Sequence, residues 1–302
     1  MRLSPSATTQ AFLVGGLGIG LYSVMDALMK GLSMSLGAYN AALWRGLFGI
    51  VFTGVVFLTS RPRIPPPPVL RLHVLRGVVA AVLVFLFFWG VARLPLAEGV
   101  ALSFIAPLIT LYLAAVMLGE TVTGRAVACS VIGLVGVGVI LAGRLGGPHA
   151  KDAGLGALAV LVSAAFYAYN LILQRKQAGL APPRESAFFN TLFMSLSLLL
   201  VAPVAGMKVP PINEVPALIG AAVFAAGASV TVSWAYARAE AKVLVVLEYT
   251  AFIWAALFGL IIFHEPLTIP TLLGSALIVL GCVLSAWSEQ RHAAAAQAEV
   301  GV

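Results

Sequence analysis

The sequence predicts an all-α polytopic membrane protein with ten transmembrane helices, arranged as two inverted five-helix repeats. Three observations support this fold class. Of the 302 residues, 61% are hydrophobic and only 10% are charged, whereas a soluble domain has about 25% charged residues. The apolar residues form runs of about 20, the length at which a helix spans a bilayer. The second half of the chain also repeats the pattern of the first half.

The predicted spans are the ten apolar runs that lie between charged residues and turn-forming residues. In chain order, they cover residues 10–32, 37–59, 69–91, 95–118, 123–143, 154–175, 186–204, 213–236, 240–262 and 268–288. The connections are short, and the longest, TSRPRIPPPP (59–68), should be a stiff polyproline segment. Pro107 lies within the fourth run and should kink that helix.

The internal repeat is visible when the chain is shifted against itself by 145 residues, without a gap. The matched pairs include Tyr22 and Tyr167, Lys30 and Arg175, Trp89 and Trp234, Arg93 and Arg238, Glu120 and Glu265, and Ser130 and Ser275. Matched Trp, Arg and Glu at one constant offset disfavour the alternative, a chance similarity between apolar helices. The two repeats are therefore predicted at residues 1–150 and 151–302, the second with a short C-terminal tail.

Five helices per repeat is an odd number, so the second repeat must enter the membrane from the opposite side. Inverted repeats of this kind are typical of secondary transporters. If both termini lie on one side, that side holds twelve of the 18 Lys and Arg residues, and the other side holds five. Because cytoplasmic loops carry the excess of Lys and Arg, both termini are expected in the cytoplasm. Arg45, inside the second span, is the remaining cation.

Several other classes of protein are disfavoured. No P-loop pattern occurs, and no segment is long enough for a soluble nucleotide-binding domain, so ATP-driven pumping by this chain alone is not expected. The basic residues lie at the ends of apolar runs, where they anchor a membrane protein rather than bind nucleic acid. No paired Asp and no Ser/His set suggests an enzyme. Cys129 and Cys282 lie inside apolar runs and read as small buried side chains. Neither a metal nor a cofactor is expected.

Three passages carry a resemblance to a known family. LGETVTGRAVACSVIGLVGVGVIL (118–141) and FHEPLTIPTLLGSALIVLGCVL (263–284) each place a Glu at a turn before an apolar run, and NAALWRGLFG (40–49) places an Arg in the second span. These passages resemble the drug/metabolite transporter superfamily, specifically its EamA-domain branch, and the resemblance covers both halves. Within the branch, the chain length and the ALWRG stretch resemble the YddG-type exporters of aromatic amino acids.

The resemblance implies a multi-pass protein of the bacterial inner membrane that exports amino acids, aromatic or other neutral ones, or related metabolites. Export would proceed by alternating access through a central cavity between the two repeats. The expected partners are a small-molecule substrate and the lipid bilayer, and a monomer is compatible with the sequence. The alternatives are a flippase of a lipid-linked head group and an exporter of a different metabolite or drug.

Charged side chains inside a bilayer are costly and usually face a cavity or a partner. At 1.5 Å per residue, Asp26 lies roughly 9 Å and Arg45 roughly 12 Å from the same end of their helices. They either form a buried ion pair that fixes helix packing, or one of them meets a zwitterionic substrate. Glu248 has no Lys or Arg at helical spacing on its own helix. A cavity-lining role is therefore favoured for Glu248 over a structural hydrogen bond.

Aromatic and amide side chains complete the candidate substrate site, although interfacial or helix-bridging roles are the alternatives for these residue types. Ser103 is included because the repeat places it opposite Glu248. The candidate substrate-binding residues are Tyr22, Asp26, Trp44, Arg45, Trp89, Ser103, Tyr167, Asn170, Asn190, Trp234 and Glu248.

Other polar residues and the glycines have structural expectations. Lys30 is expected to anchor its helix at the membrane interface. Glu120 and Glu265 are expected to cap the helix that follows each of them. Close helix packing is expected at Gly16, Gly20, Gly133 and Gly136.

Overall fold

The computed structural model of the chain describes residues 5–59, 65–119, 122–143, 150–236 and 248–300. Within these ranges, all regular elements are helices. They are α1 (Pro5–Ser35), α2 (Ala38–Leu58), α3 (Pro67–Val91), α4 (Leu96–Ser103), α5 (Ala106–Leu118), α6 (Gly124–Ala142), α7 (Ala150–Ala178), α8 (Pro183–Leu200), α9 (Ala202–Ala205), α10 (Val215–Tyr236), α11 (Ala251–Phe263) and α12 (Ile269–Val300).

The helix lengths fit a membrane protein. In the described ranges, six stretches are long and apolar enough to cross a bilayer: Phe12–Ser35, Ala38–Leu58, Pro67–Val91, Leu96–Met117, Asp152–Ala178 and Val215–Ala235. Three shorter apolar helices accompany them, at Val127–Ala142, Ala251–Phe263 and Ile269–Leu284. The prediction of an all-helical membrane protein is confirmed, and the count of ten spans stays a prediction.

The fourth predicted span is divided into α4 and α5 by a break at Phe104 and Ile105, just before Pro107. Pro107 has no N–H group to donate to the carbonyl of Ser103, four residues earlier. At the break, Phe104 and Ile105 donate to the carbonyls of Ala101 and Leu102, at 3.2 and 3.3 Å, which are i−3 rather than i−4 contacts. The predicted kink is therefore confirmed. In the ninth predicted span, α11 covers the later part, and residues 240–247 lie outside the described residues.

The main helix contacts follow the internal repeat. The 145-residue shift relates α1 to α7 and α3 to α10, and the structure packs α1 against α10 and α3 against α7. The shift also relates α6 to α12, and these two helices pack against each other. A Cβ atom on Gly136 would lie 2.6 Å from the carbonyl oxygen of Gly274, and one on Gly281 would lie 2.7 Å from that of Cys129. The expected close packing at Gly136 is therefore confirmed.

One end of the bundle, here called the Lys30 side, is joined by a buried ion pair. Lys30 is only 1% exposed and pairs with Glu265, which follows α11. The Lys30 ammonium also donates to the carbonyl of Leu94 at 2.6 Å. The expectation that Lys30 anchors at the interface is wrong, because a carboxylate and a carbonyl on other segments hold its ammonium inside the protein.

Glu265 caps a helix other than the one expected. Its second carboxylate oxygen accepts a hydrogen bond from the backbone N–H of Leu96, the first residue of α4, at 2.8 Å. A carboxylate at this position satisfies a free N–H and faces the positive end of the helix. The helix that follows Glu265 is capped by Thr268, whose hydroxyl oxygen accepts from the N–H of Thr271 at 3.3 Å. The equivalent prediction for Glu120 lies outside the described residues.

The opposite end of the bundle, here called the His73 side, is joined by side chains near the start of α3. His73 is fully buried, hydrogen-bonds with Gln177 near the end of α7, and contacts Glu185 at the start of α8 at 3.1 Å. Because α3 has 25 residues and a helix rises about 1.5 Å per residue, the two sides lie on opposite ends of the bundle.

Candidate functional site

Charged and phenolic side chains from four parts of the chain meet inside the bundle. Asp26 on α1 interacts electrostatically with Arg45 on α2. Tyr22, one turn before Asp26, interacts with Arg45 and also with Glu248, which precedes α11. Tyr167 on α7 interacts with both Glu248 and Tyr22. These five residues, all predicted from the sequence as substrate-binding, are here called the central group.

The central group borders open space. Tyr167 is 45% exposed although it lies near the centre of α7, and Glu248 is also exposed. Tyr167 interacts electrostatically with Glu248, with Tyr22 on α1 and with Arg76 on α3, and Glu248 also interacts with Tyr22. Both side chains thus combine exposed surface with electrostatic interactions that reach other helices. Polar groups that line a space between helices can contact a ligand that enters it.

Asp26 and Arg45 are neighbours but not a direct ion pair. Among the described residues, no carboxylate oxygen lies within 4.0 Å of the Arg45 guanidinium. The Nε atom of Arg45 is buried and has no hydrogen-bond partner in the described part of the chain. This geometry does not match a packing ion pair, in which the donors and acceptors of both partners would be satisfied.

A second buried atom of the same kind lies at the repeat-related position. The 145-residue shift relates Arg45 to Asn190 on α8, and the Oδ1 atom of Asn190 is buried without a hydrogen-bond partner within the described ranges. In the part of the chain that the structure describes, Ser33 Oγ is the third buried side-chain atom of this kind. Buried polar atoms are nearly always hydrogen-bonded, and an exception requires an explanation such as an unseen ligand.

Two of the predicted residues bond to elements outside the central group. The indole N–H of Trp44 donates to the carbonyl of Lys208 at 2.8 Å, beside a hydrogen bond of 2.9 Å from the Lys208 N–H to Asn40. Trp44 therefore joins α2 to the segment before α10 on the Lys30 side. The hydroxyl groups of Tyr22 and Ser229 lie 2.6 Å apart and join α1 to α10.

Trp89, Ser103 and Trp234 have more local surroundings. Arg93 stacks over the Trp89 ring, 3.5 Å from its centroid, and donates to the Trp89 carbonyl at 2.8 Å. The Ser103 hydroxyl donates to the Val100 carbonyl on the same helix at 2.7 Å. Trp234 packs against a small apolar cluster that contains Ile19 and Ala235. Trp89 also packs against the same apolar cluster as Tyr22 and Trp44.

A polar network joins α3 and α7. It is not among the predictions from the sequence, because the count of Lys and Arg on the two sides of the membrane places Arg76 with the loop residues. Arg76 donates to Asn170 and Gln174 at 3.1 Å each, and also to Gln177. Together with His73, these residues are here called the α3–α7 seam. The signal was present in the sequence, because residues 170, 174 and 177 lie on one face of a helix, as do residues 73 and 76. Asn170, predicted as substrate-binding, belongs to this seam.

A small cleft lies on the Lys30 side. Glu98, Glu265 and Thr271 line it, and the Thr271 hydroxyl donates to the buried carboxylate of Glu98. This cleft lies at the junction of α4, α11 and α12, on the side where Lys30 pairs with Glu265.

Comparison with known proteins gives concordant results. The profile of the EamA-like transporter family matches residues 10–142 and 154–287. The chain is 24% identical to the pseudopaline exporter of Pseudomonas aeruginosa over 265 residues, which cover 87% of this chain and 90% of that protein. It is 28% identical to the S-adenosylmethionine uptake transporter of Rickettsia prowazekii over 162 residues, which cover 51% of each chain.

A solved crystal structure shares the fold. Its TM-score is 0.64 at 23% sequence identity, and the match covers 94% of this chain and 98% of that one. A likeness at this identity concerns the fold alone. The two family matches together cover most of the chain, on either side of residue 150. The all-helical architecture, the apolar helices and the family matches lead to one conclusion: this protein is a membrane transporter of the EamA-like transporter family, within the drug/metabolite transporter type.

Proposed function

We propose that this protein exports small zwitterionic metabolites, with neutral and aromatic amino acids as the expected substrates. Export proceeds by alternating access through a central cavity between two inverted repeats of five helices, residues 1–150 and 151–302. The protein lies in the bacterial inner membrane with both termini in the cytoplasm, so that the Lys30 side faces outward. The observation that carries the proposal is a pair of buried atoms without a hydrogen-bond partner among the described residues, Arg45 Nε in the central group and Asn190 Oδ1 at the repeat-related position.

The chemistry of the central group supports a zwitterionic substrate. Arg45 supplies a cationic N–H donor, which suits a carboxylate. Asn190 supplies a neutral acceptor, and Asp26 and Glu248 supply carboxylates, which suit an ammonium group. Tyr22 and Tyr167 add aromatic faces that pack against an apolar side chain or attract a cation. A molecule with one carboxylate and one ammonium group can satisfy both sets.

The helix directions support the inverted repeat. Lys30, near the end of α1, contacts Leu94 after α3, whereas Gln177, near the end of α7, contacts His73 at the start of α3. The equivalent helices α1 and α7 therefore end on opposite sides of the bundle. This is the relation expected for inverted repeats around a central site.

The direction of transport is part of the proposal. Among the similar proteins, one is named an exporter and another an uptake transporter. Export is favoured here by the resemblance of the ALWRG stretch (42–46) to the aromatic amino-acid exporters.

The test is transport by the full-length protein in proteoliposomes loaded with labelled amino acids. We expect efflux of L-tryptophan and related neutral amino acids from vesicles that contain the wild-type protein. Arg45→Ala should lower that efflux at least about tenfold, since a hydrogen bond to a charged group contributes about 1.5–3 kcal/mol. Arg93→Ala is the matched control, because Arg93 is exposed beyond the end of α3, and it should retain transport.

Two results would contradict the proposal. Translocation of a lipid-linked head group without amino-acid efflux would assign a flippase function instead. Normal efflux by Arg45→Ala would remove Arg45 from the substrate site.

A further inference from the structure

Arg76 is a cation within the membrane region whose hydrogen-bond partners are all neutral. Its Nε and Nη2 atoms donate to the amide oxygens of Asn170 and Gln174, and its Nη1 atom donates to Gln177. Among the described residues, no Asp or Glu oxygen lies within 4.0 Å of this guanidinium. The amides orient the guanidinium but leave its positive charge without a counter-charge. A charged side chain at such a depth usually lies on a substrate or ion pathway.

The second repeat shows that this helix crossing does not require a cation. The 145-residue shift relates Arg76 to Ala221 and His73 to Leu218, both on α10. The same shift relates the amide positions of α7 to apolar positions of α1 (Met25, Met29 and Leu32). All of these counterparts are buried in one hydrophobic cluster between α1 and α10. Apolar packing therefore holds the equivalent crossing on the Lys30 side, and the polar residues of the α3–α7 seam serve another purpose.

The seam continues into the central group. Tyr167 lies one turn before Asn170 on the same face of α7 and interacts electrostatically with Arg76 as well as with Glu248. A guanidinium has five N–H donors, and the three amides use three of them. Among the described residues, the two remaining N–H donors have no acceptor, and Arg76 lies toward the His73 end from the central group.

We propose that Arg76 is a second anion-binding residue, which takes the carboxylate of the substrate at the His73 end of the cavity before that carboxylate reaches Arg45. The amide oxygens of the seam hold its guanidinium in position for this contact. The proposal rests on the proposed function for the identity of the substrate as an amino acid. Its chemical content, recognition of an anionic group by Arg76, is independent of that identity.

The test measures binding of three matched probes to the purified full-length protein. The probes are L-tryptophan, which has both charged groups, tryptamine, which lacks the carboxylate, and indole-3-propionate, which lacks the ammonium. The main variant is Gln174→Glu. Gln174 is exposed, so a Glu at this position can neutralise Arg76 without removing a buried side chain. Arg76→Gln is the second variant, and Arg71→Gln, an exposed arginine one and a half turns earlier on α3, is the control.

We expect wild-type protein and Arg71→Gln to bind L-tryptophan more tightly than tryptamine. Gln174→Glu and Arg76→Gln should weaken the binding of both carboxylate probes about tenfold, the effect of losing a charge-assisted contact of about 1.4 kcal/mol. Tryptamine binding should not weaken in either variant. Thermal unfolding should show that Gln174→Glu is as stable as wild type, because its carboxylate gains a cationic partner.

The outcomes separate the two proposals. If Gln174→Glu retains the wild-type preference for carboxylate probes, Arg76 has only a structural role, while the proposed function stands. If wild-type protein shows no preference for carboxylate probes, the Arg76 proposal is overturned together with the amino-acid assignment. If indole-3-propionate binds, L-tryptophan does not, and Gln174→Glu abolishes that binding, Arg76 is an anion site and the amino-acid assignment is wrong.

Discussion

At the scale of single residues, the most informative atoms are those that the fold leaves unsatisfied. Asn190 is such a case, because its Oδ1 atom is buried and has no hydrogen-bond partner among the residues that the structure describes. An unsatisfied buried acceptor destabilises a protein by about 1–3 kcal/mol. A residue that lowers stability in this way is retained where it serves a function.

Asn190→Leu should therefore separate stability from transport. The substitution keeps the number and branching of the side-chain heavy atoms and removes the unsatisfied acceptor, so the thermal unfolding temperature of the purified protein should rise. Amino-acid efflux from proteoliposomes should fall at least about tenfold, since the ligand loses a hydrogen bond and meets an apolar group.

Asn40→Leu is the matched control, because both polar atoms of Asn40 are hydrogen-bonded, to the Lys208 N–H and the Leu36 carbonyl. It should lower the unfolding temperature. Wild-type efflux by Asn190→Leu would exclude Asn190 from the substrate site.

Residue types and spacing predicted which charged and aromatic side chains lie inside the membrane, but not all their contacts. Asp26, Arg45 and Glu248 stand out because charges are rare in long apolar runs. Lys30 was assigned to the interface because a cation near a helix end usually reaches for water. Its carboxylate partner lies 235 residues further along the chain, and no local pattern reveals such a contact.

At the scale of helices, the Lys30–Glu265 pair connects three elements. Lys30 lies on α1, Glu265 follows α11, and the same carboxylate caps α4 through Leu96. Replacing one partner of such an ion pair by a neutral residue destabilises a protein, because the other charge stays inside the protein.

Lys30→Met should lower the free energy of unfolding by about 2–3 kcal/mol, less than the roughly 3–5 kcal/mol typical of a fully buried pair, because Glu265 is 21% exposed. Glu265→Gln should also destabilise the protein, since it leaves the buried Lys30 ammonium without its counter-charge. The double variant should cost less than the sum of the two single variants, as expected for directly interacting residues. Unfolding in detergent measures all three. Additive effects would mean that the two side chains stabilise the fold independently.

The helices themselves were largely predictable, and their breaks less so. Long apolar runs placed α1, α2, α3, α7 and α10, and Pro107 explained the division between α4 and α5. The capping roles of the α11–α12 turn were not predictable. Glu265 caps α4, which lies next to this turn in space but far from it in sequence. The spacing of the polar residues on α3 and α7 indicates the α3–α7 seam. This signal is missed when Arg76 is counted among the loop residues.

At the scale of the whole molecule, the inverted repeat makes a direct prediction about the two sides of the membrane. Ser35 ends α1 and Leu180 follows α7, and the 145-residue shift relates these two positions. Both residues are exposed. Ser35→Cys and Leu180→Cys should therefore react with a membrane-impermeant thiol reagent from opposite sides, Ser35→Cys from outside the cell and Leu180→Cys only after permeabilisation.

The unsubstituted protein is the control for the native thiols Cys129, which is half-buried, and Cys282, which is buried. Reaction of both engineered thiols from the same side would contradict the inverted arrangement. The reverse pair of sides would keep the inverted arrangement and overturn the assignment of the termini to the cytoplasm.

The Lys30–Glu265 pair can form only late in the synthesis of the chain. A ribosome that adds about 5–20 residues per second needs roughly 10–50 s to reach Glu265 after Lys30 has entered the membrane. Throughout this interval, the Lys30 ammonium lacks its carboxylate, and the start of α4 lacks its cap. The first half of the protein thus completes its own burial only when the turn between the last two helices arrives, which makes a prematurely ended chain recognisable to quality control by an exposed charge.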